Sequence, residues 1–158
     1  MTTIRPAVIN DVPLILQLIR DLAEFEKLSH EVVATEDDLR RTLFGENPSA
    51  EILICEVDSK PAGFALFFTN YSTFLGKAGI YLEDLFIKPE MRSHGLGKKM
   101  LSELARIAVS RNCGRLEWSV LDWNTRARKF YEELGAVPMN QWTVHRVTGS
   151  ALAKLANS

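Results

Sequence analysis

Two carboxylates, Glu83 and Asp84, stand side by side within the otherwise apolar run YLEDLFI, Tyr81 to Ile87. The run has strand character, so neighbouring side chains point to opposite faces and one acid is expected on each. Charge inside a sheet is costly, and a carboxylate withheld from water becomes a better base. Glu83 is the candidate proton acceptor, and Asp84 is expected to face away from it. Shortly after the run comes Arg92-Ser93-His94-Gly95-Leu96-Gly97-Lys98, a glycine-bearing turn that opens onto a helical pattern. Unpaired amides and the positive end of the dipole at a helix start attract phosphate. Glycines let phosphate approach the main chain, and Arg92 and Lys98 add mobile positive charge at the two ends of the loop. The alternative is a plain turn into a helix.

Known phosphate motifs can be tested on the letters. A dinucleotide fingerprint needs a third glycine where Met100 stands, and a Walker loop needs Ser or Thr where Lys99 follows Gly97-Lys98. Both fail. What remains is Arg-x-x-Gly-x-Gly between a strand and an amphipathic helix.

The elements that must position these groups follow from periodicity. TIRPAV reads as an opening strand, and Asn10-Asp11 can cap a helix that stacks Leu14, Ile15, Leu18, Leu22 and Phe25 on one stripe. Thr35 and Asp38 form a capping-box start for a short helix through Leu43, stopped at Gly45. EILICEV and AGFALFFTN are strands expected to pair through the turn Asp58-Ser59-Lys60-Pro61, with Pro61 presetting φ. A helix from about Lys98 to Arg111 carries Met100, Leu101, Leu104, Ile107 and Ala108 on one face. RLEWSVL is a further strand, and Asn124 caps a helix bearing Ala127, Phe130, Tyr131 and Leu134 before Gly135. The tail AVPMNQWTVHRV reads as two short strands, followed by a helical turn at Leu152 to Leu155. The order β-α-α-β-β-β-α-β-α-β-β predicts one α/β (α+β) domain over residues 1–158, a mixed twisted sheet of six to seven strands flanked by four helices.

The 158 residues suffice for one core without disulfides or structural metals. With 19 basic against 20 acidic side chains, the net charge of −1 gives no reason to expect nucleic acid or an anionic membrane as partner. No apolar run reaches the roughly 20 residues of a membrane helix, and MTTIRPAVIND has no signal-like apolar core. Cys55 and Cys113 show no metal or redox spacing, and His30, His94 and His145 are scattered. A cytoplasmic, metal-free protein acting on small molecules is expected.

The motif RSHGLG resembles the pyrophosphate-binding loop of the GNAT acetyltransferases. YLEDLFIKPEMRSHGLGKKML and DWNTRARKFYEELGA, with IRPA, LAEFEK and TEDDL in order before them, are similar to the spermidine/spermine (diamine) N-acetyltransferase-like branch. The resemblance implies that amides of the loop Arg92, Ser93, His94, Gly95, Leu96, Gly97 and Lys98 hold the pyrophosphate of acetyl-coenzyme A. It implies that Leu85, Phe86 and Ile87 lie along its pantetheine arm, with main-chain groups of Leu85 and Ile87 binding it, and that Asn124 touches it.

An alkylammonium must lose a proton before it attacks a thioester, and the departing thiolate must gain one. The resemblance implies that Glu83 accepts the first through a water and that Tyr131 donates the second. On composition alone, Phe130-Tyr131 reads as an aromatic core pair. Phe25 and Glu26, in LAEFEK, match the family's substrate-facing segment, which with Glu83 implies a small di- or polyamine, or a lysine-like amino acid, as acceptor. Thr125-Arg126-Ala127 departs from the acid-Pro-Ser of the polyamine enzymes. A homodimer is expected from the family. The competing readings are a protein or peptide acetyltransferase, which needs an open groove, and a coenzyme A-binding module without activity, which needs neither Glu83 nor Tyr131.

Overall fold

The computed structural model describes all residues, 1–158, and the chain divides into two compact units, Met1–Ser119 and Val120–Ser158. The first contains a five-stranded sheet in sequence order: β1 (Thr2–Pro6), β2 (Glu51–Val57), β3 (Lys60–Ser72), β4 (Lys77–Ile87) and β5 (Leu116–Trp118). The first four strands run antiparallel to their neighbours, and β5 lies parallel to β4. Parallel pairing requires a crossover, which α3 (Leu96–Ser110) provides.

Two helices precede the second strand, α1 (Val12–Phe25) and α2 (Glu36–Leu43). The apolar stripe of α1 buries Val12, Ile15, Leu16, Leu18 and Leu22 in one cluster with Leu39 of α2, Ile52 and Ile54 of β2, Phe64 of β3 and Phe86 of β4. Side chains alternate along β2, and Leu53 and Cys55, between the cluster residues, are also buried; both faces of the sheet are therefore covered. The stripe of α3 buries Leu96, Met100, Leu101, Leu104 and Ala108.

Local chemistry accounts for the boundaries. Thr35 and Asp38 form the expected capping box, Asp38 N–H donating to Thr35 Oγ1 at 3.2 Å and Thr35 N–H to Asp38 Oδ2 at 2.9 Å. Asp11 precedes α1 without capping it through its side chain, because its carboxylate is taken by Arg5 at 2.8 and 3.0 Å and by Val8 N–H. The β2–β3 turn is tighter than expected. Only Asp58 and Ser59 lie outside the strands, both with positive φ (50° and 66°), the backbone twist that suits a two-residue hairpin. Pro61 therefore sits within β3, opposite Glu56 at a register shift, where its missing N–H is tolerated.

The second unit holds α4 (Thr125–Glu133) and α5 (Gly149–Ala156). Asn124 caps α4 as expected, its Oδ1 accepting Ala127 N–H at 3.2 Å, and Gly135 follows with φ 97°. The expected six to seven strands and four helices become five and five. Neither tail strand forms: residues 136–147 contain no ladder, and Val137, Met139, Trp142 and Val144 are between 62% and 83% exposed. Alternating side chains confer strand propensity, but a strand exists only where its amides find a partner. RLEWSVL likewise shortens to the three residues that pair with β4.

Candidate active site

β3 and β4 pair regularly from Gly63↔Ile87 to Leu66↔Asp84, and the register then jumps to Phe67↔Leu82. Glu83 is the extra residue of a β-bulge, which interrupts the alternation on which the opposite-face expectation depends. Glu83 is exposed and Asp84 largely withdrawn from solvent, so the expectation of a desolvated Glu83 is corrected. Burial pushes the Asp84 carboxyl up to about 6, with the charges of Glu83 and then Glu26 adding to the effect. Asp84 pairs with Leu66, one step along the strand from the Phe64↔Phe86 pair, and so belongs to the α1 face of the sheet.

Glu26 ends α1 as its C-cap, and burial raises its carboxyl as well. A helix C-terminus carries the negative end of the dipole, an unfavourable place for a carboxylate. Three acids, Glu26, Glu83 and Asp84, thus meet where two are partly dehydrated and none forms a hydrogen bond or ion pair with a cation. This arrangement invites a cationic ligand. Phe25, 39% exposed, precedes Glu26, and a cavity of about 440 Å³ opens beside it, rimmed by Asp21, Glu24, Lys88 and Glu90.

The strand also presents free main chain. Pairing of β4 with β5 ends at Leu82↔Trp118, so from Glu83 to Ile87 the edge away from β3 has no ladder. Lys88 N–H donates to Ala62 O at 2.8 Å. By the period of two, the amide of Phe86 also points towards β3, and those of Leu85 and Ile87 point to the open edge. The carbonyl of Ile87 is occupied by Arg92 Nε at 2.9 Å.

The glycine loop follows a single 3-10 turn, Pro89–Met91. Ser93 (φ 71°) and Gly95 (φ 72°) take the left-handed conformation, and α3 begins at Leu96, two residues before the expected start. The first bond that closes its opening turn runs from Lys99 N–H to Gly95 O at 3.1 Å, which leaves the amides of Leu96, Gly97 and Lys98 without helical partners. Ser93, His94 and Gly95 are exposed and Leu96 anchors the helix in the core. His94 Nδ1 lies 2.9 Å from Arg92 O. Alternating left-handed residues before unpaired amides form a concave anion nest. Arg92 is not the mobile cation expected, because its guanidinium stacks on the Phe25 and Phe86 rings.

Gly95→Val is expected to weaken acetyl-coenzyme A binding about tenfold, because a β-branched residue resists the left-handed backbone that aims these amides. Nothing lies within 4 Å of a Cβ built on Gly95, so the core should survive. Isothermal titration calorimetry checks the affinity, and a wild-type value would count against the loop.

In the second unit, Tyr131 lies on α4 two turns after Asn124, half-buried, with its ring 5.6 Å from that of Phe130. No group of three or more His, Cys, Asp or Glu side chains could hold a metal ion, and Cys55 and Cys113 are free thiols.

Among the strand residues, the sequence reading missed Asp84 as the withdrawn acid. The adjacent Glu-Asp pair was a signal for it, but which of the two acids is withdrawn depends on the packing of β4 against α1, which the letters do not state.

Comparison with known proteins identifies the family. Residues 16–136 match the acetyltransferase (GNAT) family. The chain is 41% identical to the thialysine N-epsilon-acetyltransferase of Bos taurus, the match covering 97% of this chain and 96% of that one. It is 36% identical to the L-ornithine N5-acetyltransferase of Arabidopsis thaliana, covering 94% and 85%. An integron cassette protein from the mobile metagenome of V. cholerae superposes with a TM-score of 0.83 at 26% identity, covering 99% and 98%. The family model covers most of the chain and these relatives match it nearly end to end, so the chain belongs to the acetyltransferase (GNAT) family.

Proposed function

We propose that this acetyltransferase moves an acetyl group from acetyl-coenzyme A to the terminal amine of a small lysine-like amino acid or diamine. The observation that carries the acceptor class is the convergence of Glu26, Glu83 and Asp84 without a cationic partner. Relatives acting on thialysine and ornithine support the amino-acid end of that range.

Acetyl-coenzyme A supplies the acetyl thioester. The unpaired amides of Ser93 to Lys98 bind its diphosphate, and the open-edge amides of Leu85 and Ile87 bind the pantetheine arm by strand-like pairing. Glu26 and Asp84 hold the acceptor's ammonium beside Phe25. Glu83, exposed on the bulge, accepts a proton through water, which frees the nitrogen lone pair. Nitrogen bonds to the acetyl carbon, the carbon–sulfur bond breaks, the Tyr131 hydroxyl protonates the thiolate, and the second proton that the nitrogen sheds as the amide forms restores the Tyr131 hydroxyl. The family match across residues 16–136 supports one catalytic domain. We place the protein in the cytoplasm, where free thiols persist, and expect a homodimer, which light scattering checks.

A panel assay tests the acceptor. Lysine, its thia-analogue, ornithine, putrescine, spermidine, tyramine and a lysine-bearing peptide are each offered with acetyl-coenzyme A, and thiol release is followed. Lysine-like amino acids or diamines should give kcat/KM values at least tenfold above the peptide, as fits an acidic site for a small cation. Preference for the peptide would replace this reading with a protein acetyltransferase, and release with none would favour a coenzyme A-binding module.

A further inference from the structure

Arg92 belongs by position to the glycine loop, yet its side chain is committed elsewhere. Its guanidinium carbon lies 4.6 Å from the ring centroid of Phe25 and 5.6 Å from that of Phe86, and its Nε donates to Ile87 O at 2.9 Å. A planar, weakly hydrated cation sandwiched on ring faces and bonded to main chain acts as a strut. The rings belong to different elements. Phe25 ends α1, directly before Glu26, while Phe86 is buried in β4 two residues beyond Asp84. One side chain therefore ties the anion-binding loop to both segments that carry the withdrawn acids.

The tie has work to do. Glu26 and Asp84 repel when ionised, and Glu26 is followed by Lys27 in a left-handed conformation (φ 62°), where the chain leaves the helix. Repulsion at the end of a helix favours fraying of its last turn. Stacking on Phe25 holds that turn against β4 and keeps Glu26 within electrostatic reach of Asp84.

We propose that Arg92 is a positioning residue for the acceptor amine: its stack on Phe25 fixes Glu26 opposite Asp84 and couples the order of the glycine loop to amine affinity. This rests on the reading of those two acids as the amine's partners. Coupling is reciprocal, so a ligand that orders the loop tightens amine binding by the same factor as the amine tightens that ligand.

The test varies both substrates over Arg92→Lys, Phe25→Leu, Phe25→Tyr and the double variant R92K/F25L. Lysine keeps the charge and loses the planar stack. KM for the amine should rise about five- to tenfold in Arg92→Lys and in Phe25→Leu, falling on KM rather than kcat. KM for the amine should be lower in Phe25→Tyr, which keeps a ring face, than in Phe25→Leu. The double variant should be no worse than the poorer single, as for two halves of one contact. Hydrogen exchange of residues 22–27 should accelerate in Arg92→Lys, a readout independent of activity. An Arg92→Lys variant that weakens acetyl-coenzyme A binding alone, fully additive effects, or unaltered exchange at 22–27 would overturn the strut. Absence of turnover by the wild type with every amine, alongside accelerated exchange in the variant, would instead overturn the acceptor assignment and leave the strut standing.

Discussion

Tyr131→Phe is expected to lower turnover about 100-fold, the scale of a positioned general acid, while acetyl-coenzyme A binds within about twofold of its wild-type affinity. The substitution isolates the chemistry. Tyr131 packs beside Phe130 on a helix fixed by the Asn124 cap, and phenylalanine keeps the ring while removing only the hydroxyl. An ordinary tyrosine has a pKa of about 10 and a thiol one of about 8.5. A phenolic hydroxyl placed beside the sulfur can donate once sulfur begins to accept charge. Single-turnover thiol release separates this step from product departure. Turnover within about threefold of the wild type would return Tyr131 to the bland role of an aromatic core residue.

What could be read from the letters was local. The stripe Ile15, Leu18 and Leu22 and the stripe Met100, Leu101 and Leu104 became buried helix faces, because period and burial are the same fact seen twice. The Thr35–Asp38 cap and the Asn124 cap were legible for the same reason: each needs only residues three apart. Features set by distant pairing were not. Nothing in YLEDLFI announces that β3 offers one residue fewer than β4 at Glu83, so strict alternation left the bulge unseen. The tail shows the converse error, since Trp142 and Val144 alternate like a strand but pairing depends on a partner that local letters do not specify. Arg92 combines both cases. Its place in the motif was clear, but its stacking depends on the three-dimensional meeting of Phe25 and Phe86.

Asp84→Asn should raise stability and reduce function together, a combination expected of a residue retained for binding rather than for the fold. In the free protein its carboxyl is pushed up from 3.8 to about 6. A folded pKa above the unfolded one means that folding favours the protonated acid. The stability it contributes is fully present below about 3.8 and is lost as pH rises through about 6. Each pKa unit is worth about 1.4 kcal/mol, so at about pH 8 the ionised carboxylate costs the free protein roughly 2 to 3 kcal/mol. Asparagine escapes that cost. Thermal melts should show the variant more stable than wild type at about pH 8, with the two converging near pH 4. Amine binding should respond in the opposite sense, because a charge-assisted contact worth about 2 kcal/mol corresponds to roughly a 30-fold loss of kcat/KM for the amine. The wild-type profile of kcat/KM should fall below about pH 6 as Asp84 protonates, and this limb should be missing from the variant. A destabilised variant at high pH, or a variant that keeps the wild-type affinity for the amine, would remove Asp84 from the site and leave the acids on the α1 face without the cationic ligand proposed for them.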